Sequence, residues 1–196
     1  MNILSKVCIF PAIALLTSLA IYAAASQDAW APEAKSQVFT ELQAPELPLI
    51  PVPEGLDLAS SEPAALRAPA PPLTYAQIRG VRSSDSGNAW VIVSDGAFNS
   101  GFNHGGAQMF VLVIEIGYGN SIVARMNGAV LPTSANVLNE RKCNVGGFLG
   151  DCSPGQTVVG WYRYFDVSGA QGGLFQYQNT SINAPFNTLS DRLTIL

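Results

Sequence analysis

The chain has 196 residues, 48% hydrophobic and only 12% charged, with 18 glycines, 13 prolines and a formal net charge of -4. The charged share is about half the roughly 25% usual for globular domains. This balance excludes a basic nucleic-acid binder, an acidic disordered chain and a coiled coil, and leaves a weakly charged, Gly-rich domain with an extension.

Residues 1–25 read as a secretory signal. Lys6 is their one charge, Val7 to Tyr22 is apolar, and Ala23-Ala24-Ala25 gives a small-residue cleavage motif before Ser26. Val7 to Ala25 spans 19 residues, close to the roughly 20 a bilayer requires. Pro11, Thr17, Ser18 and the alanine triplet favour cleavage over a lasting anchor. A secreted or periplasmic location is expected, with no stable membrane anchor after processing.

Residues 26–72 read as a disordered, acidic, Pro-rich extension. They carry a net charge of -5, and nine prolines lie between Pro32 and Pro72. Proline removes backbone donors and disfavours helix at the preceding residue, so an extended spacer is expected. A docking motif or a pro-segment is the alternative. A brief helix is expected at Gln37 to Leu42.

Residues 73–196 have no net charge, and 17 of the 18 glycines lie between Gly80 and Gly173. Short β-rich runs alternate with turn clusters, which predicts a single all-β domain, an antiparallel β-sandwich or barrel-like fold. Strands are expected near Tyr75–Arg82, Ala89–Ser94, Gln108–Ile116, Ile122–Met126, Ala129–Leu131, Thr157–Val167, Leu174–Asn179 and Arg192–Leu196. A short helix is expected at Ala135–Arg141, capped by Ser134.

In the central run, Phe110, Leu112, Ile114 and Ile116 share one face and Met109, Val111, Val113 and Glu115 the other. Both are mostly apolar, so both should be covered, and such a run left at an edge would invite aggregation. Ile122, Ala124 and Met126 are expected to face the same core as Phe110, Leu112 and Ile114. Asn127-Gly128 predicts a two-residue type I′ hairpin turn, which needs two positive φ values. In Thr157–Val167 the alternation leaves two readings: a core strand with one aromatic face inside, or an exposed Tyr162/Tyr164 platform for stacking. Trp90 and Tyr177 could join either set.

Once Cys8 leaves with the signal, Cys143 and Cys152 form an even pair in an exported chain, which favours a disulfide. Structural zinc wants four ligands at tighter spacing, and redox sites favour Cys-x-x-Cys. No metal and no cofactor is expected.

His104 is the single histidine, and no G-x-S-x-G, H-E-x-x-H, phosphate loop or dinucleotide fingerprint occurs. The run Asp95–Gly106 is long for a β connection, and such loops are disproportionately functional. Asn99, Asn103 and His104 are the loop's binding candidates, with Tyr162 and Tyr164 from the later strand. Asp95, Ser100 and His104 become catalytic candidates only if the protein is an enzyme. Otherwise His104 is a hydrogen-bonding structural residue in a loop shaped by asparagine and glycine.

The run His104-Gly-Gly-Ala-Gln-Met-Phe-Val-Leu-Val-Ile-Glu-Ile-Gly-Tyr-Gly119, followed by Ala124-Arg-Met-Asn-Gly128, resembles the YolA-like proteins, small secreted bacterial proteins of unassigned function. The resemblance covers roughly Leu73–Leu196 and leaves the extension outside. It implies export from a bacterium and one domain, and brings no catalytic residues. The expected function is a secreted, non-enzymatic binding or interaction module, with carbohydrate or protein as partner and no nucleic acid. The alternatives are a small extracellular hydrolase using the 95–106 loop and an envelope-associated structural protein.

Overall fold

Ten strands alternate with glycine-bearing turns in the computed structural model, which describes residues 42, 45–54 and 70–196. The strands are β1 (Tyr75–Ser83), β2 (Trp90–Ile92), β3 (Met109–Ile116), β4 (Val123–Met126), β5 (Ala129–Val130), β6 (Asn136–Val145), β7 (Phe148–Asp151), β8 (Val158–Asp166), β9 (Gly173–Thr180) and β10 (Thr188–Ile195). They build two antiparallel sheets, ordered β2-β1-β3-β8-β6-β7 and β10-β9-β4-β5. The all-β expectation holds. The expected signal segment lies outside the described residues, as does the expected helix at Gln37 to Leu42 apart from Leu42.

The apolar run lies in the middle of the larger sheet, with β1 on one side and β8 on the other. It is buried along its whole length, so its edge hazard never arises. One face, with Met109, Val111 and Val113, packs against Ala124, Met126, Phe175, Leu193 and Ile195 of the smaller sheet. The opposite face, with Phe110, Leu112, Ile114 and Ile116, belongs to a second core containing Leu149, Val159 and Tyr164.

That second core is closed by part of the Pro-rich extension. Leu42, Ile50 and Val52 are buried in it. Val52 donates its N–H to the Gly147 carbonyl at 2.9 Å, and Leu149 donates to the Ile50 carbonyl at 2.9 Å. Residues 50–52 therefore form a strap along the free edge of β7. A small cavity of about 210 Å³ separates Pro48–Pro51 from Tyr75, Arg79 and Asp95, so the strap also reaches toward β1. Over this stretch the extension packs against the domain.

Two expectations need correction. Ala124 and Met126 share a core with Met109, Val111 and Val113, not with Phe110, Leu112 and Ile114. That facing assumed a β3–β4 hairpin, in which the number of loop residues sets which face each strand presents, but the chain crosses to the other sheet after Ile116, and β4 pairs with β9 and β5. The expected helix Ala135–Arg141 is instead a 3-10 turn, Thr133–Ala135, followed by β6. Tertiary pairing with β8 overrides a weak helix pattern. The lysine of β6 is paired across the sheet. The Lys142 ammonium lies 3.0 Å from Glu140, 2.5 Å from Asp151 and 4.3 Å from the centre of the Tyr162 ring.

Local signals do better. Asn127 (φ 53°) and Gly128 (φ 83°) make the expected hairpin turn between β4 and β5. Cys143 and Cys152 form a disulfide that closes the β6–β7 hairpin. Gly160 is required within β8, because a Cβ there would stand 2.5 Å from the Glu115 carbonyl oxygen.

Candidate functional site

The long loop between β2 and β3 does not hang free. It lies alongside β10 in parallel. Thr194 donates to the Phe98 carbonyl at 2.9 Å, Ser100 donates to the Thr194 carbonyl at 3.0 Å, and His104 donates to the Leu196 carbonyl at 2.5 Å.

Each catalytic candidate on this loop has its own partners. Asp95 accepts from Tyr75 Oη at 2.9 Å and pairs with the Arg79 guanidinium, from the start and the middle of β1. Ser100 Oγ donates to the Phe102 carbonyl at 2.8 Å and accepts from the Leu196 N–H at 3.2 Å. His104 is 5% exposed, with Nδ1 3.0 Å from Ser83 Oγ at the far end of β1. No hydrogen bond joins any two of the three. His104 Nε2 is buried and unpartnered among the described residues. Asn99 Oδ1 accepts from the Gly101 N–H at 3.0 Å, which shapes the turn, while Asn103 is exposed.

Burial holds the His104 imidazole below its ordinary pKa. The folded state therefore favours the neutral ring. Its contribution to stability is complete above the ordinary histidine value of about 6.5 and is lost as pH falls through the lower folded value. Between about pH 7.5 and about pH 5, the urea midpoint of the wild type should fall more steeply than that of His104→Gln. Equal slopes would show that folding leaves the His104 pKa where it stands in the unfolded chain.

Tyr162 and Tyr164 do not form an open platform. They are 7% and 0% exposed, and both belong to the second core. Trp90 packs edge-on against Tyr164 with ring centres 5.8 Å apart, whereas Tyr177 lies in the first core. Burial pushes the hydroxyls of Tyr162 and Tyr164 up, so both rings remain neutral.

The outer face of the smaller sheet holds what sequence reading did not single out. Register places Arg125, Gln176 and Arg192 in one row across β4, β9 and β10, with Gln178 and Ser190 in the next. A cleft of about 510 Å³ opens over them, and Phe98, 81% exposed, stands at its rim. Neither guanidinium has a carboxylate partner among the described residues. Asp191, also at the cleft, accepts from the Ile78 backbone N–H at 2.8 Å and from the Arg192 backbone N–H at 2.8 Å. The signal that could have found part of it is the alternation along Leu174–Asn179, which puts Gln176 and Gln178 on one face. What it could not supply was the neighbour relation of β4, β9 and β10.

Beneath this face, Glu115 is fully buried between the sheets. It accepts from Arg163 Nε at 2.5 Å, Tyr177 Oη at 2.6 Å and Asn179 Nδ2 at 2.6 Å. Burial first, and the Glu115 charge second, push the Tyr177 hydroxyl up, so it stays a donor. This network ties β3 and β8 to β9.

No curated protein matches the chain. Residues 68–195 match the family described as Domain of unknown function (DUF4879), and over those residues, which hold all ten strands and the whole of the arginine-lined cleft, the chain belongs to that family.

Proposed function

We propose that the protein is an exported, non-enzymatic binding module that meets its ligand in the cleft on the outer face of the smaller sheet. The observation that carries this reading is the cleft itself: two arginines without carboxylate partners, two amides, a hydroxyl and an exposed aromatic rim on a rigid strand face. Concave sites with a few convergent polar groups are the usual form of ligand sites. The disulfide is compatible with an oxidising compartment and supports export. The stretch from His104 to Gly128 supports a YolA-like relationship within the family. A hydrolase centred on the 95–106 loop has less support, because its acid, hydroxyl and imidazole are held by separate partners.

Affinity electrophoresis tests the reading, with dextran, polygalacturonate or dextran sulfate cast into native gels. At least one polysaccharide should retard the wild type, and Gln176→Ala combined with Gln178→Ala should reduce that retardation. Unretarded migration in all three gels would overturn a saccharide-binding role. So would retardation that the double variant leaves unchanged.

A further inference from the structure

We propose that the cleft takes a carboxylated saccharide, a chain of uronic-acid type, with Arg125 and Arg192 each holding one carboxylate. The proposal rests on the binding reading above and narrows it to one ligand chemistry.

Three observations converge. The first is the charge pattern. The domain as a whole is neutral, yet two of its arginines share one cleft without a carboxylate partner among the described residues. Arginine matches a carboxylate through two parallel N–H donors, a fit that lysine cannot reproduce.

The second is spacing. Arg125 pairs with Gln176, and Gln176 with Arg192, so the arginines stand two strand spacings apart, about 10 Å at the backbone. That separation suits two acidic groups on one extended oligosaccharide better than the adjacent oxygens of one small anion.

The third is what lies between and beside them. Gln176, Gln178 and Ser190 offer donors and acceptors suited to sugar hydroxyls, and the exposed Phe98 ring gives an apolar surface for the C–H face of a pyranose. Phe98 is fixed by the hydrogen bond its carbonyl accepts from Thr194, so the rim is attached to the same strand that carries Arg192. The long loop thereby contributes through its aromatic residue rather than through its histidine.

Polygalacturonate, dextran and dextran sulfate serve as acidic, neutral and sulfated probes in the same gels, with dissociation constants read from retardation against polymer concentration. Polygalacturonate should retard the wild type far more than dextran does. Arg125→Gln and Arg192→Gln should each weaken binding about tenfold or more, in line with losing a charge-assisted hydrogen-bonded contact. Arg192→Lys should recover only part of the loss, and Phe98→Ala should weaken binding with no change in its salt dependence. Near-UV circular dichroism verifies that each variant keeps its fold.

Retardation by dextran equal to that by polygalacturonate would overturn the carboxylate proposal while leaving the binding reading intact. Dextran sulfate binding as tightly as polygalacturonate, with full recovery by Arg192→Lys, would overturn it in favour of general anion attraction. No retardation by any polymer would overturn the carboxylate proposal together with any saccharide-binding role for the cleft.

Discussion

Replacing Ile50 and Val52 together by aspartate should detach the strap and expose the second core. Both side chains are buried, at 6% and 7% exposure, against Leu149 and its neighbours. Burying one aliphatic side chain is worth about 1.5–3 kcal/mol, so losing both contacts should cost on the order of 3–6 kcal/mol. Two backbone hydrogen bonds go with them, one to Gly147 in the β6–β7 turn and one to Leu149 of β7. The variant should bind a hydrophobic fluorescent dye and self-associate with rising concentration, because the uncovered face carries Ile114, Ile116 and Val159. Light scattering and dye titration check both effects. A monomeric variant with unchanged dye binding and melting temperature would show that the strap covers nothing of consequence.

The other large effect belongs to Glu115. Glu115→Leu leaves Arg163 buried without its carboxylate and removes the acceptor of Tyr177 and Asn179. Removing one partner of a buried ion pair typically costs about 3–5 kcal/mol. For a chain of this size that lowers the melting temperature by about 10 °C. Arg163→Met alone should cost a comparable amount. The double variant Glu115→Leu/Arg163→Met should be more stable than either single one, since two matched apolar groups leave no stranded charge. Thermal melts of the four proteins close the cycle. Strictly additive losses would show that the pair does not act as a unit.

The sequence carried the fold class through local, covalently constrained signals. Asn127-Gly128 could be read because a two-residue turn with positive φ admits few residues, and the structure has that turn. Cys143 and Cys152 could be read because only one pairing remained, and it forms. The two apolar faces of Gln108–Ile116 announced two coverings. What they could not announce was their identity: one is a second sheet, the other a piece of the extension. The facing of Ala124 and Met126 failed because parity holds within one sheet and the chain had changed sheets. β6 was missed because Asn139, Glu140, Arg141 and Lys142 lack an apolar alternation, and their pairing with β8 is visible only in three dimensions. The candidate site divides in the same way. His104 was singled out as a rare residue type, and the structure buries it against Ser83. Arg125 and Arg192 lie 67 positions apart in sequence, and only the order β10-β9-β4 brings them to one cleft.

The strap also bears on time as well as on energy. Val52 and its partner Gly147 are 95 positions apart, and the edge Val52 joins does not exist until the β6–β7 hairpin has formed. Contacts between distant positions form late, because loop closure must come before they can contribute, and β topologies of this kind fold in milliseconds to seconds. The strap should therefore be among the last elements to dock. Until it does, the second core is an open apolar face, and the interval between sheet formation and strap docking is when the chain is most prone to associate with its own copies.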